Sequence, residues 1–423
     1  MSKSQKQNSL SEDFQSKESL FITSPDSFDD GVSRTNTSFG LRPLEHAHDE
    51  EVVPQIGSLE FVRQASWAVA AIKLFNSDEN VRKVAKTPTT LANAIEALGC
   101  KLEYTYASDI FQNRRGILAF KRPASVHLWR FSDLKKKSNY VQNTYRQNVV
   151  SALRDLGLCN KDSTRFNQMQ LTELGEELAD CFLKDAKKIL SYWVSHGSAQ
   201  KNATNMDILS PDFCSKDERN VLKNALNTDV MDDENIDPGK RIRLIRLMGS
   251  IKVNDKNPWK ELSKMLKKEG ELGLRHVWQI ENAIRFEKVK TCARALYNEC
   301  ANYMVKNNSN SCSFGVLSKI KSVLGAYNNL RDAIETYRRG AQYKLPAISE
   351  KNMLISSGYM DVNDTLRYLA EHEGRALIYN GNGVTKGPLL KKDGFAPVSD
   401  RIQSWGHPKL MQLDRLWRDC NGK

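Results

Sequence analysis

The chain of 423 residues is long enough for two or three domains, and 63 lysines and arginines against 51 acidic residues give it a formal net charge of +12. No apolar run approaches the length of a bilayer-spanning helix, and the first residues, MSKSQKQNSL, lack the apolar stretch of a secretory signal. The eight cysteines are widely spaced and include no CxxC pair. These features predict a reduced, cytoplasmic protein that has no membrane partner.

Residues 1–55 differ in composition from the rest of the chain. Ten of the first forty residues are serines, and the region holds ten acidic but only five basic side chains, so the remainder carries a net charge of +17. With few aliphatic residues to bury, the region is predicted to be a disordered, acidic, Ser-rich tail. A body as basic as the remainder attracts a polyanion or an acidic protein surface, although surplus charge also serves solubility alone.

Residues 56–180 are predicted to form an α+β domain. Apolar spacing indicates two amphipathic helices at its start, with Gly99 closing the second. Three segments rich in β-branched and aromatic residues predict short strands at residues 101–108, 116–120 and 125–131.

Basic clusters follow these segments and are interleaved with tyrosines, a composition found on nucleic-acid-binding surfaces. Aromatic residues at helix or strand spacing are also typical of a core, which is the interpretation favoured for Trp129. The cations of interest are Arg114, Arg115, Lys135, Lys136 and Lys137.

The stretch from residue 140 to 180 has the most distinct pattern. An apolar stripe at helical spacing runs from Tyr145 to Leu156, and Gly157 follows at the position of a left-handed C-cap. Two short apolar segments then flank a polar turn at residues 160–167, and Thr172 is placed to cap the next helix.

The order of helix, glycine turn, short hairpin and helix, with the pair ALRDLGL and LTELGEELA, resembles the recognition helix and wing of the winged helix-turn-helix superfamily over about a tenth of the chain. The resemblance implies that the helix enters the DNA major groove and that the wing reaches toward the phosphates or the minor groove. It assigns nucleic-acid contacts to Thr144, Arg146, Gln147, Ser151 and Arg154 on the helix and to Lys161 and Arg165 on the wing. A packing module, or a winged helix that contacts protein, is the alternative.

Residues 181–345 are predicted to form a helical domain, and residues 346–423 a small C-terminal helical segment. Two long amphipathic patterns, 273–307 and 313–339, are separated by a short polar connection and predict an αα-hairpin. The predicted fold is therefore mainly α, with an N-terminal α+β winged-helix-like domain followed by a multi-helix domain that contains a long αα-hairpin.

One catalytic pattern occurs near the C-terminus. His407, Lys409 and Asp414 match H-x-K-x4-D and so resemble the signature of the phospholipase D family. That resemblance implies a histidine nucleophile that attacks phosphorus and a lysine that stabilises phosphate charge. The chain has no second copy of the motif, and its local spacing is helical.

These observations favour a non-enzymatic, nucleic-acid-binding scaffold subunit of a larger intracellular assembly, with DNA preferred over RNA and other protein subunits as partners. A bacterial genome-defence (antiviral) or mobile-element complex is one setting, to which no particular residue points. No cofactor and no metal site are predicted. Two alternatives stay open: a protein–protein adaptor without nucleic-acid contact, and a phospholipase D-like phosphodiesterase or nuclease.

Overall fold

In a computed structural model the protein is mainly helical, with sixteen α-helices and three β-strands in the part of the chain that the structure describes. That part comprises residues 39–106, 120, 129–136, 139–141, 144–197, 206–228, 239–251, 257–340, 346, 349, 352–356, 360–373, 376–387, 390 and 405–422. It divides into two compact units. Unit 1 contains residues 39–48 and those from 281 to 390, and unit 2 contains residues 49–280 and 405–422.

The helices in chain order are α1 (Arg42–Val52), α2 (Val62–Ser77), α3 (Glu79–Ala85), α4 (Pro88–Tyr106), α5 (Phe131–Leu134), α6 (Tyr145–Asp155), α7 (Glu173–His196), α8 (Lys216–Asn227), α9 (Gly239–Met248), α10 (Pro258–Lys267), α11 (Glu271–Lys306), α12 (Phe314–Leu317), α13 (Lys321–Arg339), α14 (Met353–Ser356), α15 (Val362–Glu373) and α16 (Pro408–Cys420). Short 3-10 turns occur at Phe166–Gln168, Met206–Leu209 and Pro211–Phe213. The strands are β1 (Ser311–Ser313), β2 (Leu377–Tyr379) and β3 (Gly383–Lys386).

Unit 2 is built around α2 and α4, which are buried along most of their length. The prediction that Gly99 ends a helix is wrong, because α4 continues through it to Tyr106. A Cβ at Gly99 would lie 2.3 Å from the indole of Trp67, so the glycine allows close packing rather than a left-handed turn. The strand predicted at residues 101–108 is therefore helical as far as Tyr106, and Phe131 begins α5 instead of ending a strand.

Several predicted helix ends are confirmed. Gly157 has φ +71° directly after α6, and the Thr172 hydroxyl accepts the Gly175 N–H at 3.2 Å at the start of α7. Cys159 and Leu171 form one antiparallel bridge between these helices, which matches the two short apolar segments. Among the described residues between 56 and 180, this bridge is the only β-structure.

Unit 1 has a core shared by distant parts of the chain, including Leu44, Phe286 and Tyr337. Helix α1 lies within the predicted tail, so that prediction is wrong for residues 39–55, most of whose apolar side chains are buried. Within α1, His48 Nε2 is hydrogen-bonded to the Tyr337 hydroxyl at 2.8 Å, and the His48 ring lies 5.1 Å from the ring of Phe286. Residues 1–38 lie outside the described residues.

Helices α11 and α13 contact each other in unit 1. Arg285 Nη1 donates to the Gly340 carbonyl oxygen at 2.9 Å, and the rings of Phe286 and Tyr337 lie 5.7 Å apart. The units differ from the predicted domains 181–345 and 346–423, because residues after 345 pack on the same core as α11 and α13.

The three strands form one small antiparallel sheet in the order β1-β3-β2. Strands β2 and β3 are joined by a tight turn, in which Gly381 has φ +95°. Val384 pairs with Tyr379 on one side and with Cys312 on the other, and its buried side chain joins the core of unit 1.

Candidate nucleic-acid interface

The N-terminus of α6, which the winged-helix resemblance places against DNA, is held by a carboxylate from α4. Glu96 is 2% exposed; its Oε1 accepts the Tyr145 N–H at 2.7 Å and its Oε2 accepts the Arg146 N–H at 3.0 Å. Burial raises the pKa of Glu96 to about 7, against the lowering effect of these two backbone hydrogen bonds. Glu96 therefore occupies the position at a helix N-terminus where a phosphate would bind.

Arg146 faces the interior of unit 2. It is 8% exposed, its Nε donates to Asn93 Oδ1 at 3.0 Å, and its guanidinium carbon lies 5.2 Å from the ring centroid of Phe166. Thr144 is fully buried at the start of the helix. The prediction that Thr144 and Arg146 face DNA is wrong for this conformation, because Thr144 is buried and Arg146 packs against Asn93 of α4 and Phe166 of the loop that follows α6.

The turn at residues 56–59 covers a second side of α6. The Ser58 N–H donates to the Asn148 carbonyl oxygen at 3.2 Å, and a Cβ added at Gly57 would lie 2.8 Å from Ser151 Oγ. From α16, Lys409 Nζ and Gln412 Nε2 both donate to the Gly57 carbonyl oxygen, the latter at 3.0 Å. The turn is thereby fixed against the helix.

Only part of the predicted α6 face is thus accessible. Ser151 and Arg154 are half-buried, and burial raises the pKa of the adjacent Asp155 to about 6. Gln147 is exposed, but its Oε1 accepts the Thr144 N–H at 3.2 Å and so helps to cap the helix. The face of α6 that the resemblance assigns to DNA recognition therefore packs in large part against other segments of unit 2.

The loop between α6 and α7 keeps its two predicted cations in solvent. Lys161 and Arg165 are exposed, whereas Phe166 is buried next to Arg146. Asn167 Oδ1 accepts the Thr89 N–H at 3.0 Å, which ties the loop to the start of α4. These cations lie on an anchored loop, and their contact with nucleic acid stays a prediction.

A second exposed basic region lies around α5 and the C-terminal half of α7. The Phe131 N–H donates to the Gly197 carbonyl oxygen at 3.2 Å, and Trp193 Nε1 donates to the Trp129 carbonyl oxygen at 2.8 Å. These bonds bring Arg130 next to the end of α7, where the rings of Tyr192 and His196 stack at 4.0 Å. We define the α5–α7 surface by Arg130, Lys135, Lys136, Lys188, Tyr192 and His196.

Three of the four cations of the α5–α7 surface are exposed, and the fourth is half-buried. Arg130, Lys136 and Lys188 are exposed, and the described residues contain no ion pair to any of them or to Lys135. Lys135 is half-buried, with its Nζ 5.6 Å from the ring centroid of Phe131. Tyr192 keeps 37% of its surface in solvent, and Tyr104, at the end of α4, keeps 41%.

Lys135 and Lys136 were predicted as site residues, whereas Arg130, Lys188, Tyr192 and His196 were missed. The signal for the missed residues was the helical spacing of Lys188, Tyr192 and His196, which places them one turn apart on one face of α7. Arg114, Arg115 and Lys137, also predicted, lie outside the described residues.

The residues of the H-x-K-x4-D pattern hold α16 in place. His407 is 1% exposed and caps the helix, its Nδ1 accepting the Lys409 N–H at 3.2 Å. Lys409 Nζ bonds to the Gly57 carbonyl oxygen, and Asp414 pairs with Arg418 Nε at 2.9 Å through both oxygens. A buried imidazole in a cap does not have the access to a phosphodiester that a nucleophile needs.

Two further features are absent from the described residues. No helix among them is both long and apolar enough to cross a bilayer. No group of three or more His, Cys, Asp or Glu side chains among them is arranged to hold a metal ion. All eight cysteines are described and are free thiols.

Comparison with known proteins gives no relative. No protein-family model, no curated protein and no solved structure matches this chain. Function is therefore inferred from the residues and contacts described above.

Proposed function

We propose that this protein is a non-enzymatic, nucleic-acid-binding scaffold subunit whose α5–α7 surface, rather than α6, contacts the nucleic acid. The observation that carries the proposal is the grouping of four cations without ion pairs in the described residues around the exposed Tyr192. The chain's net charge of +12 supports the same conclusion, because a basic protein accumulates polyanions near its surface.

The chemistry of the α5–α7 surface suits a phosphate backbone with accessible bases. Lysine and arginine displace counterions from phosphates, which supplies affinity without sequence preference. An exposed tyrosine stacked on a histidine offers a flat face to an unpaired base.

Salt dependence tests the proposal directly. Binding of the full chain to a fluorescent duplex and to a single strand of the same sequence is measured by anisotropy over a range of salt concentrations. Each phosphate contact contributes a slope of about −0.9 for duplex DNA and about −0.7 for a single strand in log K against log salt, so four cations predict a steep fall. Binding that does not change with salt would contradict the proposal.

A charge reversal with a matched control locates the contact. The triple variant R130E, K136E and K188E is expected to bind at least about ten-fold more weakly at about 0.1 M salt, because three contacts become repulsive. The control K260E, K267E and K268E makes the same change in net charge on exposed lysines of α10 and its C-cap, for which the described residues contain no ion pair. Equal losses in both variants would show a general charge effect and no defined site.

The loop cations Lys161 and Arg165 form a separate arm of the experiment. Both are exposed and close to the packed end of α6, so K161E with R165E tests whether the wing of the winged-helix resemblance touches phosphate. A loss with this pair but not with the α5–α7 variant would move the interface to the loop.

A protein–protein adaptor is the second candidate, and the burial of Thr144 and Arg146 favours it because it removes the DNA-reading face of α6. An adaptor shows no binding to either nucleic acid even at low salt. Affinity purification with the α5–α7 variant would then retain the same protein partners as the unchanged chain.

A further inference from the structure

A straight row of exposed side chains runs along the C-terminal half of α7. Lys184, Lys188, Tyr192 and His196 follow one another at every fourth position, so each lies about 6 Å along the helix from the one before. All four are exposed, and the described residues contain no ion pair to Lys184 or Lys188. Residues 181–197 contain three lysines against the single acidic residue Asp185, so this face of α7 is basic.

The two rings at the end of this row form a flat platform. The rings of Tyr192 and His196 stack with centroids 4.0 Å apart and an angle of 12° between their planes. His196 Nδ1 donates to the Tyr192 carbonyl oxygen at 3.1 Å, which fixes the orientation of the imidazole. The next residue, Trp193, is fully buried and packs edge-on against Phe131 with ring centroids 5.2 Å apart. The fold itself therefore holds the platform in place.

Cations flank this ring pair on both sides. Lys188 lies one turn before Tyr192 on α7. Arg130 lies next to the end of the helix, because the N–H of its neighbour Phe131 donates to the Gly197 carbonyl oxygen at 3.2 Å. The phosphates on both sides of a base that stacks on Tyr192 therefore meet a positive charge.

We propose, on the basis of the function proposed above, that the nucleic acid at the α5–α7 surface is single-stranded and that Tyr192 stacks on one of its bases. In a duplex, neighbouring bases cover both faces of each base, so a base must leave the stack before a side-chain ring can contact its face. In a single strand that face is open, and stacking on an aromatic ring adds affinity for any of the bases.

The covered N-terminus of α6 supports the same class of strand. The resemblance to winged helices assigns duplex recognition to this helix, but Glu96 accepts its first N–H groups and Arg146 is 8% exposed. The row on α7 instead presents cations and a flat ring pair. These groups contact a strand through its phosphates and one base face, and they need no groove.

Removal of the base and of the side chain, separately and together, tests the stacking in the full chain. Fluorescence anisotropy compares a strand of about 15 thymidines with an abasic strand of equal length, which keeps the phosphates. The unchanged chain should bind the abasic strand about ten-fold more weakly, because it lacks the stacked base. Tyr192→Ala should lose about ten-fold on the thymidine strand and nothing on the abasic strand. Tyr192→Phe keeps the ring and should restore the difference.

Two further variants show what a negative result means. Phe213→Ala removes an exposed ring of unit 2 that is not part of the α5–α7 surface, so it should keep the preference for the thymidine strand. The triple variant R130E, K136E and K188E should weaken both strands alike, because both carry phosphates. If it does so while Tyr192→Ala changes neither strand, the stacking role of Tyr192 is overturned and the proposed function stands. If the triple variant weakens neither strand, both proposals are overturned.

Two more probes test the class of strand. A uridine strand of the same length distinguishes RNA from DNA as the source of the base, and the loss in Tyr192→Ala is expected on whichever single strand binds more tightly. A blunt duplex should bind more weakly than that strand at the same salt concentration and should not respond to Tyr192→Ala. A duplex that binds more tightly than both single strands overturns the assignment to single-stranded nucleic acid.

Discussion

The N-terminal end of α6 and the α5–α7 surface both carry the basic side chains expected of a nucleic-acid interface, but the fold treats them in opposite ways. At α6, Arg146 is 8% exposed and the two first N–H groups are bonded to the buried Glu96. Around α5 and α7, Arg130, Lys136 and Lys188 remain in solvent without ion pairs among the described residues. A cation contributes to phosphate binding only where its neighbours leave its charge uncompensated.

The two regions also differ in how much stability a substitution should remove. A buried arginine is retained because Asn93, Phe166 and the nearby Glu96 compensate its lost hydration. An exposed lysine needs no such partners and costs little to replace. Substitutions in the two regions should therefore separate stability from binding.

The largest effect is expected from Glu96→Ala. The change leaves the Tyr145 and Arg146 N–H groups buried without an acceptor, which should lower the free energy of unfolding by about 3 to 4 kcal/mol at pH 5. Urea unfolding followed by circular dichroism measures it. Glu79→Ala, which removes an exposed partner of Lys83, should cost less than about 0.5 kcal/mol. Similar losses in both variants would contradict the capping role of Glu96.

The pH dependence of stability follows from the same carboxyl group. Its pKa rises from 4.5 to about 7 on folding, so the folded state binds more protons than the unfolded state between these values. The free energy of unfolding should fall as the pH rises from 4.5 to 7 and should then level off. Relative to the non-titrating E96Q, the fall should be roughly 3 kcal/mol. A constant difference between the two chains across this range would refute the raised pKa.

Arg146→Ala and Lys136→Ala compare the two regions directly. Arg146→Ala should cost about 2 kcal/mol of unfolding free energy through its lost contacts with Asn93 and Phe166, with no change in nucleic-acid affinity. Lys136→Ala should leave stability within about 0.5 kcal/mol but weaken binding about three-fold. Anisotropy and urea titrations on the same samples give both values. The reverse pattern would return the interface to α6.

The smallest effect is expected at the turn of residues 56–59, which covers one side of α6. Gly57 has φ +48° and lies against Ser151, whereas Gly197 has φ +72° with no atom within 4 Å of an added Cβ. Both alanine variants should lose about 1 kcal/mol from the left-handed conformation, and Gly57→Ala about 1 kcal/mol more from the contact. Melting temperatures in parallel scans show the difference. Identical values would mean that the 56–59 turn moves away from α6 at no cost.

Sequence spacing predicted the structure correctly where the contacts that determine it are local in the chain. The left-handed residue Gly157 and the cap by Thr172 both depend on neighbours within one turn. The two segments that meet at Cys159 and Leu171 were also predicted, because a short polar turn fixes their pairing. The exposure of Lys136, Lys161 and Arg165 was also predictable, because charged side chains usually stay at the surface, whereas their contact with nucleic acid stays a prediction.

Predictions from sequence spacing were wrong where the structure depends on contacts between distant segments of the chain. Gly99 sits where a helix could end, but the indole of Trp67 needs its missing side chain in the middle of α4. Helix α1 was assigned to the tail because composition does not reveal its distant contacts. Leu44 joins the core formed by residues of α11 and α13, and His48 is hydrogen-bonded to Tyr337 of α13. Glu96 is a charged residue in an apolar stretch, which is unusual, but the sequence does not show that its carboxyl group bonds to the start of α6.

By itself, the sequence determined that this protein is mainly helical and basic, and where several of its helices begin and end, since backbone capping and apolar period act over a few residues. Only the tertiary structure decided which face of each helix is covered. Burial depends on contacts between segments far apart in the chain, and those contacts placed a carboxylate, rather than solvent, at the N-terminus of α6.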